Sequence, residues 1–330
     1  MKNYIFALFA LLFIFTSCNK HVKHQYRGEA QGSYYSIIYF DSQDRDLQSE
    51  IEKLLSEFDL SASNYKSNSV ISKVNRGETV VLDSIFLGNY KLANRISKET
   101  KGDFDITVRP LVQAWGFGSI KAQDMDSAIV DSIMQFVGYN KVLIVNGEVI
   151  KEDNRLKLDF DAIAQGYSVD VVCAFIESKG IQSYLVDIGG EIYASEYKYE
   201  KEKWSVGIEQ PKDSATYGEN LSAILNLSNK GMATSGNYRK FYVKDGIKYA
   251  HTISPHTGYP IASRLLSATV LAKTAAEADA YATSFMVMGV EKSKEFLLMH
   301  KEIDAFLIYS DIEGEYETFY TQGIESLLKK

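Results

Sequence analysis

The chain has 330 residues, a formal net charge of −7 and 45% hydrophobic residues, enough to bury the core of one large domain or two closely joined ones. No lysine- or arginine-rich run occurs beyond the N-terminal stretch, so the electrostatic footprint of a nucleic-acid binder is missing and nucleic acid is excluded as an expected partner. With 22 tyrosines and 17 phenylalanines against 4 prolines, the composition fits strand-rich structure and not a disordered adaptor.

In chain order, Lys2 precedes an apolar run over residues 4–15 that closes on Thr16, Ser17 and Cys18. The run is shorter than the roughly 20 residues a membrane-crossing helix needs, and small residues before a cysteine suit lipoprotein processing. Residues 1–17 therefore read as a signal peptide and Cys18 as a lipidation site, in preference to an uncleaved anchor or a buried core helix. The expectation is an exported, membrane-anchored lipoprotein facing the periplasm. Residues 18–27 read as a polar tether, with His21 and His24 as solvated spacers, and 28–330 as one functional domain. Of the 2 cysteines, only Cys173 then remains, which leaves no intramolecular disulfide.

Residues 34–40 read as a strand, followed by a helix on which Leu47, Ile51, Leu54, Leu55 and Phe58 recur at helical spacing. Helices are predicted over 84–99, 125–137 and 162–178, with strands over 141–145 and 155–160. Short β-type runs follow at 183–186, 191–194, 204–208 and 221–227, and Asp245-Gly246 is a hairpin signal between Phe241 and Tyr249. A strand over 266–272, helices over 275–288 and 291–300, and a pair of strands at 305–309 and 316–320 complete the chain. Antiparallel hairpins mixed with helices give an α+β fold of largely antiparallel sheets with packed helices, arranged as two closely joined lobes.

Several segments carry more chemistry than packing requires. Residues 102–118 hold glycines that let backbone approach a ligand, with Trp115, Gly116 and Phe117 offering a flat surface to a heteroaromatic ring, or simply a buried core. Residues 159–170 place a strand end, a turn and a helix start together, where free backbone N–H groups favour an anion such as phosphate; the alternative is an ordinary connection with Asp161 as a helix cap. Residues 233–239 and 251–260 have loop composition dense in hydrogen-bonding groups. Asp279 and Thr283 stand four apart, on one face of a helix. A carboxylate and a hydroxyl, joined by a backbone carbonyl, can hold a hard cation such as magnesium, although this spacing is also common on solvated faces.

These segments, together with residues 28–33, 63–75 and 187–191, fall in the order found in the FAD:protein FMN transferase family, the ApbE-like lipoproteins, which the chain resembles over nearly all its mature length. The resemblance implies FAD as substrate, Mg2+ as cofactor, a threonine or serine hydroxyl of another protein as acceptor, and AMP as the second product. It implies that Asp279 and Thr283 bind the metal with main-chain oxygens near Ala164 and Ala282. Gln31, Tyr65, Trp115, Gly116, Phe117, Asp161, Tyr167 and Ile253 would line the flavin site, which lies between the lobes. His251 would be the proton-transfer residue, since an alcohol is a poor nucleophile near neutral pH and a histidine there is a suitable base; the alternative for it is loop hydrogen bonding. The implied acceptor is a subunit of a membrane electron-transfer complex, a sodium-pumping quinone reductase or a relative. Three positions depart from the family pattern: Gln31-Gly32-Ser33 replaces a methionine-glycine-threonine type turn, Gln165 stands where lysine is common, and Ser254 and His256 replace an aspartate and a basic residue. Two other activities use the same residues: FAD binding without transfer, and hydrolysis of FAD to FMN and AMP.

Overall fold

The structure, a computed structural model, describes residues 21–117, 125–211, 220–237, 241–244, 247–250 and 252–329. In chain order the elements are β1 (Val22–Ala30), β2 (Ser33–Asp41), α1 (Gln48–Ala62), α2 (Val70–Arg76), α3 (Ser84–Glu99), α4 (Arg109–Ala114), α5 (Ser127–Met134), β3 (Val142–Val145), β4 (Glu148–Lys151), α6 (Ala164–Ser178), β5 (Ser183–Ile188) and β6 (Glu191–Ala194). They continue with β7 (Trp204–Glu209), β8 (Leu221–Leu227), β9 (Lys230–Gly236), β10 (Phe241–Lys244), β11 (Ile247–Ala250), β12 (Leu265–Ala272), α7 (Ala275–Met299), β13 (Asp304–Ser310), β14 (Tyr316–Tyr320) and α8 (Gln322–Leu327).

An 8-stranded sheet in the order β1-β2-β5-β6-β9-β12-β13-β14 organises the molecule, and every neighbouring pair in it is antiparallel. This is the α+β architecture that the hairpin-rich pattern predicts. Alternation decides which side chains go where. Tyr35, Ile37 and Tyr39 of β2 and Tyr184, Val186 and Ile188 of β5 all point to one face, where they meet Val169, Val172, Cys173 and Ile176 of α6 and Ile51 and Leu55 of α1. The opposite face is covered by the β7–β8 hairpin: Trp204, Val206, Ile208, Leu225 and Leu227 pack there on Met232, Leu271, Phe306 and Ile308. Central strand β12 is consequently buried along nearly its whole length, which accounts for its mostly apolar sequence, broken only by the small polar residues Ser267 and Thr269.

Helix α7 lies against β9 and β12, and the fit depends on small residues. A Cβ on Gly231 would sit 2.2 Å from the carbonyl carbon of Thr274, so β9 must carry glycine where α7 begins. That need explains a correction. Residues 233–239 have loop composition, yet 233–236 are part of β9, whose glycine, alanine, serine and threonine content answers to the close helix and not to a turn. The two helices expected over 275–288 and 291–300 are present as two arms of α7, separated at Gly289, where φ is 75°.

Two further expectations change. The polar tether over 18–27 is strand from Val22 onward, because β1 pairs residue for residue with β2 and its half-buried face carries His24 and Tyr26, packed on Tyr39. An edge strand with one wet face needs little apolar content, so polarity alone misplaced it. The strand expected over 155–160 is extended but joins no sheet. The Asn75 side chain stands in for a partner strand there, its Nδ2 donating to Leu158 O at 2.8 Å while its Oδ1 accepts from Leu158 N at 2.7 Å. Among the described residues no helix is long and apolar enough to cross a membrane.

Candidate active site

The site is built where α6 and α7 cross. Asp170 of α6 caps α7, accepting from Ala275 N at 2.9 Å and Ala276 N at 3.0 Å, while Thr274 accepts from Glu277 N at 3.2 Å. The helices come so close that a Cβ on Gly166 would lie 2.5 Å from Ala275 O. Gly166 N is thereby free to donate to Asp279 Oδ2 at 3.0 Å, the one hydrogen bond that Asp279 receives among the described residues. Burial pushes this carboxyl above the usual carboxylate range, and the negative charge of Asp170 adds to the shift. One turn further on, Thr283 Oγ1 lies 3.2 Å from Ser235 Oγ of β9. Ala164 opens α6 two residues before Gly166, and Ala282 is buried beside Thr283. The four residues expected at a metal thus fall on the two helices that meet here. Their oxygens are one carboxylate, one hydroxyl and main-chain carbonyls, and among the described residues no three His, Cys, Asp or Glu side chains come together as a metal-binding group. An all-oxygen set with few protein ligands fits a hard cation that also holds water and substrate oxygens.

A second wall comes from the turn between β1 and β2. Gln31, at φ 54°, turns its side chain onto α6, where Oε1 accepts from Ser168 Oγ at 3.2 Å; its Nε2 is a buried donor with no partner among the described residues. Gln165 Nε2 donates to Ile188 O at 3.1 Å, tying the start of α6 to the end of β5. A neutral amide, not a cationic side chain, therefore stands at this point.

The third wall is a polar chain that sequence reading only partly found. Asp159 accepts from Arg109 Nη1 at 3.2 Å, Asn64 Nδ2 at 3.1 Å and Asp161 N at 2.9 Å, and Asn75 Nδ2 donates to Asn64 Oδ1 at 3.1 Å. Tyr65 OH donates to Asp161 Oδ2 at 3.2 Å. Burial, reinforced by the charge of Asp161, raises the Asp159 carboxyl, while the Asp161 charge pushes the Tyr65 phenol up to about 12. Tyr65 remains 69% exposed, an aromatic ring free to cover a ligand. Arg109, Asp159 and Asn64 belong to this wall although only Tyr65 and Asp161 were expected in it. The available signal was that three separate motif segments each held one polar residue with no obvious structural duty.

The fourth wall is apolar. Trp115, Ile253, Leu111, Val130 and Val137 form a small core with Phe117 packed on it, and Gly116, at φ 84°, turns the chain between the two aromatic residues. Trp115 Nε1 donates to Gly258 O at 2.8 Å and its ring lies 5.8 Å from that of Tyr259. The loop over 252–261 is closed by Ser254 N to Tyr259 O at 2.9 Å and Gly258 N to Ser254 O at 2.8 Å. Ser254 Oγ accepts from His256 N at 3.3 Å and Thr257 N at 3.2 Å, the turn-closing duty an aspartate side chain also performs.

With this geometry in hand, comparison with known proteins is decisive. The ApbE family model matches residues 31–307. The chain belongs to the ApbE family. It is 33% identical over 302 residues to the FAD:protein FMN transferase of Vibrio cholerae, covering 88% of this chain and 89% of that one. The Escherichia coli K12 protein of the same name is 30% identical over 313 residues, covering 91% and 88%. Among solved structures, the flavin transferase ApbE from Vibrio cholerae superposes with a TM-score of 0.83 at 31% identity, covering 93% of this chain and 100% of that one. The apo flavinyl transferase ApbE of Pseudomonas stutzeri gives 0.83 at 30% identity, covering 93% and 97%.

Within this ApbE-family chain, the residues expected to line a flavin are distributed unequally. Gln31, Tyr65 and Asp161 sit on polar walls, and Trp115, Gly116, Phe117 and Ile253 on the apolar one. Tyr167 is turned to α1 and α3 instead: its ring lies 6.3 Å from Phe58, and a Cβ on Gly88 would be 1.8 Å from its hydroxyl. Its hydroxyl therefore serves helix packing. His251 and Cys18 lie outside the described residues, as do Gly118 and the Asp245-Gly246 turn.

Proposed function

We propose that the protein transfers the FMN half of FAD to a threonine or serine hydroxyl of another protein, releasing AMP. The observation that carries this reading is the coverage of the relatives named FAD:protein FMN transferase, about nine-tenths of each chain at 30–33% identity. The site chemistry agrees. A pyrophosphate needs its charge neutralised, and Asp279 and Thr283, with main-chain oxygens near Ala164 and Ala282, would hold Mg2+. The bound ion would neutralise the pyrophosphate and stabilise the departing AMP. Gln31 has a buried, unused donor for a polar edge of the flavin. Trp115, Phe117 and Ile253 would supply an apolar bed for its ring, and exposed Tyr65 an aromatic cover. The acceptor oxygen bonds to the FMN-side phosphorus as the bond from that phosphorus to the AMP oxygen breaks. The hydroxyl proton passes to a base, for which His251 is the candidate.

The protein is further proposed to be a periplasm-facing lipoprotein, exported through the signal over 1–17 and held to the membrane at Cys18, with an acceptor in a membrane electron-transfer complex such as a sodium-pumping quinone reductase. The N-terminal sequence supports the first part. The test is to incubate the protein with FAD, Mg2+ and a threonine-bearing acceptor domain of such a complex and weigh the acceptor. A gain equal to FMN minus water supports transfer. Free FMN with an unmodified acceptor would replace this reading with hydrolysis, and retained, uncleaved FAD with simple binding.

A further inference from the structure

We propose that Asp103 and His256 form a positioning pair that clasps the loop over 252–261 onto the segment carrying Trp115, and so sets the width of the apolar wall. The inference rests on the FAD-binding part of the proposed function. His256 Nε2 lies 3.0 Å from Asp103 Oδ1. Each partner stands on a rigid base. Asp103 follows α3 in a turn fixed by Gly102 N to Ser97 O at 2.8 Å and Asp103 N to Thr100 O at 3.1 Å, with Thr100 Oγ1 accepting from Phe104 N at 3.1 Å. Two residues on, buried Asp105 accepts from Thr107 N at 2.7 Å, Thr107 Oγ1 at 2.6 Å and Tyr139 N at 2.8 Å, so the whole segment is pinned.

On the other side, His256 is held within the closed loop described above, where Ser254 Oγ accepts its backbone N–H. The ends of that loop are joined by Ile261 N to Thr252 O at 2.9 Å, and the loop is tied to the sheet side by Thr252 Oγ1, which donates to Asn237 Oδ1 at 2.9 Å. It spans the gap between β9 and the 102–117 segment, and only two hydrogen bonds fasten its far side among the described residues: Trp115 Nε1 to Gly258 O and His256 to Asp103. Trp115 and Ile253 face one another in the core between these fastenings. Packing of Ile253 and of the Tyr259 ring with Trp115 holds the two units together, and the two directional hydrogen bonds fix the spacing that packing alone leaves adjustable. Asp103 is 15% exposed and His256 50% exposed, so the contact is sheltered on the carboxylate side but open enough to tolerate substitution without unfolding. The contact with Asp103 engages His256 Nε2, so the duty assigned to this side chain is positional.

The test is the dissociation constant for FAD in the presence of Mg2+, read from flavin fluorescence, in the full protein and in Asp103→Ala, His256→Ala, the double variant and His256→Lys. Each single alanine variant is expected to weaken FAD binding about five-fold, or about 1 kcal/mol at 1.4 kcal/mol per factor of ten. The double variant should be no weaker than either, because one contact is lost in all three. His256→Lys keeps a hydrogen-bond donor opposite Asp103 and should return binding to within about two-fold of the unaltered protein, a rescue that general loss of packing would not give. Single variants that bind FAD as well as the unaltered protein, multiplicative losses in the double variant, or failure of the lysine to rescue would each overturn the pair. If the unaltered protein binds no FAD, both this inference and the proposed function fall, so the two failures are told apart by one control.

Discussion

Asp41 at the end of β2 and Asp279 in α7 are hidden almost equally, at 2% and 7% exposure, yet their surroundings are opposite. Asp41 receives a two-point clasp from Arg45, Nε to Oδ2 at 2.8 Å and Nη2 to Oδ1 at 2.9 Å, with the backbone N–H groups of Gln43 and Arg45 completing its shell. Its carboxyl is held well below the usual range by that guanidinium. Asp279 receives one backbone N–H among the described residues, and its carboxyl is pushed up by burial. A buried carboxylate with a full donor shell stabilises the fold, whereas one short of donors is costly in the empty protein and gains when a cation arrives. The Asp41 end of β2 is thus satisfied within the protein, whereas the carboxyl at the α6–α7 crossing has spare acceptor capacity among the described residues.

The largest effect that would break this contrast is Asp279→Ala. Transfer to the acceptor, followed by mass, should fall by at least about a hundred-fold, as expected on losing a charged ligand of a catalytic metal, with the melting temperature in Mg2+-free buffer unchanged or higher. A protein that loses activity by unfolding would contradict the assignment. Gly166→Ala should act on both properties, since the new methyl meets Ala275 O: about 2 kcal/mol of stability lost by chemical denaturation and transfer reduced about ten-fold as α6 is displaced from Asp279. For Asp41→Ala, denaturation should report a loss of about 2 kcal/mol with the rate per folded molecule intact, because the Arg45 shell touches no wall of the site.

Acid sharpens the comparison further. Asp41, with a depressed folded value, contributes stability that is full above its unfolded value near pH 4 and is lost as pH falls through the folded one. Asp187 works in the other direction: burial pushes it up to about 6, although it accepts from Tyr34 OH and Gly190 N. Between about pH 4 and 6 the folded protein holds its proton and the unfolded chain does not, so this group makes stability fall as pH rises across that window. Asp187→Asn should remove that part of the slope, on the order of 1 kcal/mol, in denaturation midpoints at pH 4.5 and 7 in otherwise identical buffers. The smallest effect is reserved for Ser254→Asp, which exchanges one turn-closing oxygen for another and should leave transfer within about two-fold.

Much of the frame was legible in the residues. Apolar, β-branched and aromatic runs in β2 and β5 and helical spacing in α1 mark them as core elements, and the break at Gly289 follows from a glycine between two helical patterns. Segments 159–170 and 278–283, singled out as motifs, do come together, because α6 begins where α7 crosses it. Less was legible where a residue's duty is set by a distant partner. Asn75 replaces a strand for Leu158, 83 positions away, and Arg109 reaches Asp159 across 50. Tyr167, read as a flavin contact, answers instead to Gly88.

The class of fold and the order of the motif segments follow from the residues alone, since periodicity and motif composition are local properties that each segment expresses without the others. Only the tertiary structure decided which polar side chains share a wall, that β1 and β9 are strands, and that Asp279 is a buried carboxylate short of donors. Those depend on how closely α6, α7 and the sheet approach, and that distance is set by packing between segments far apart in the chain.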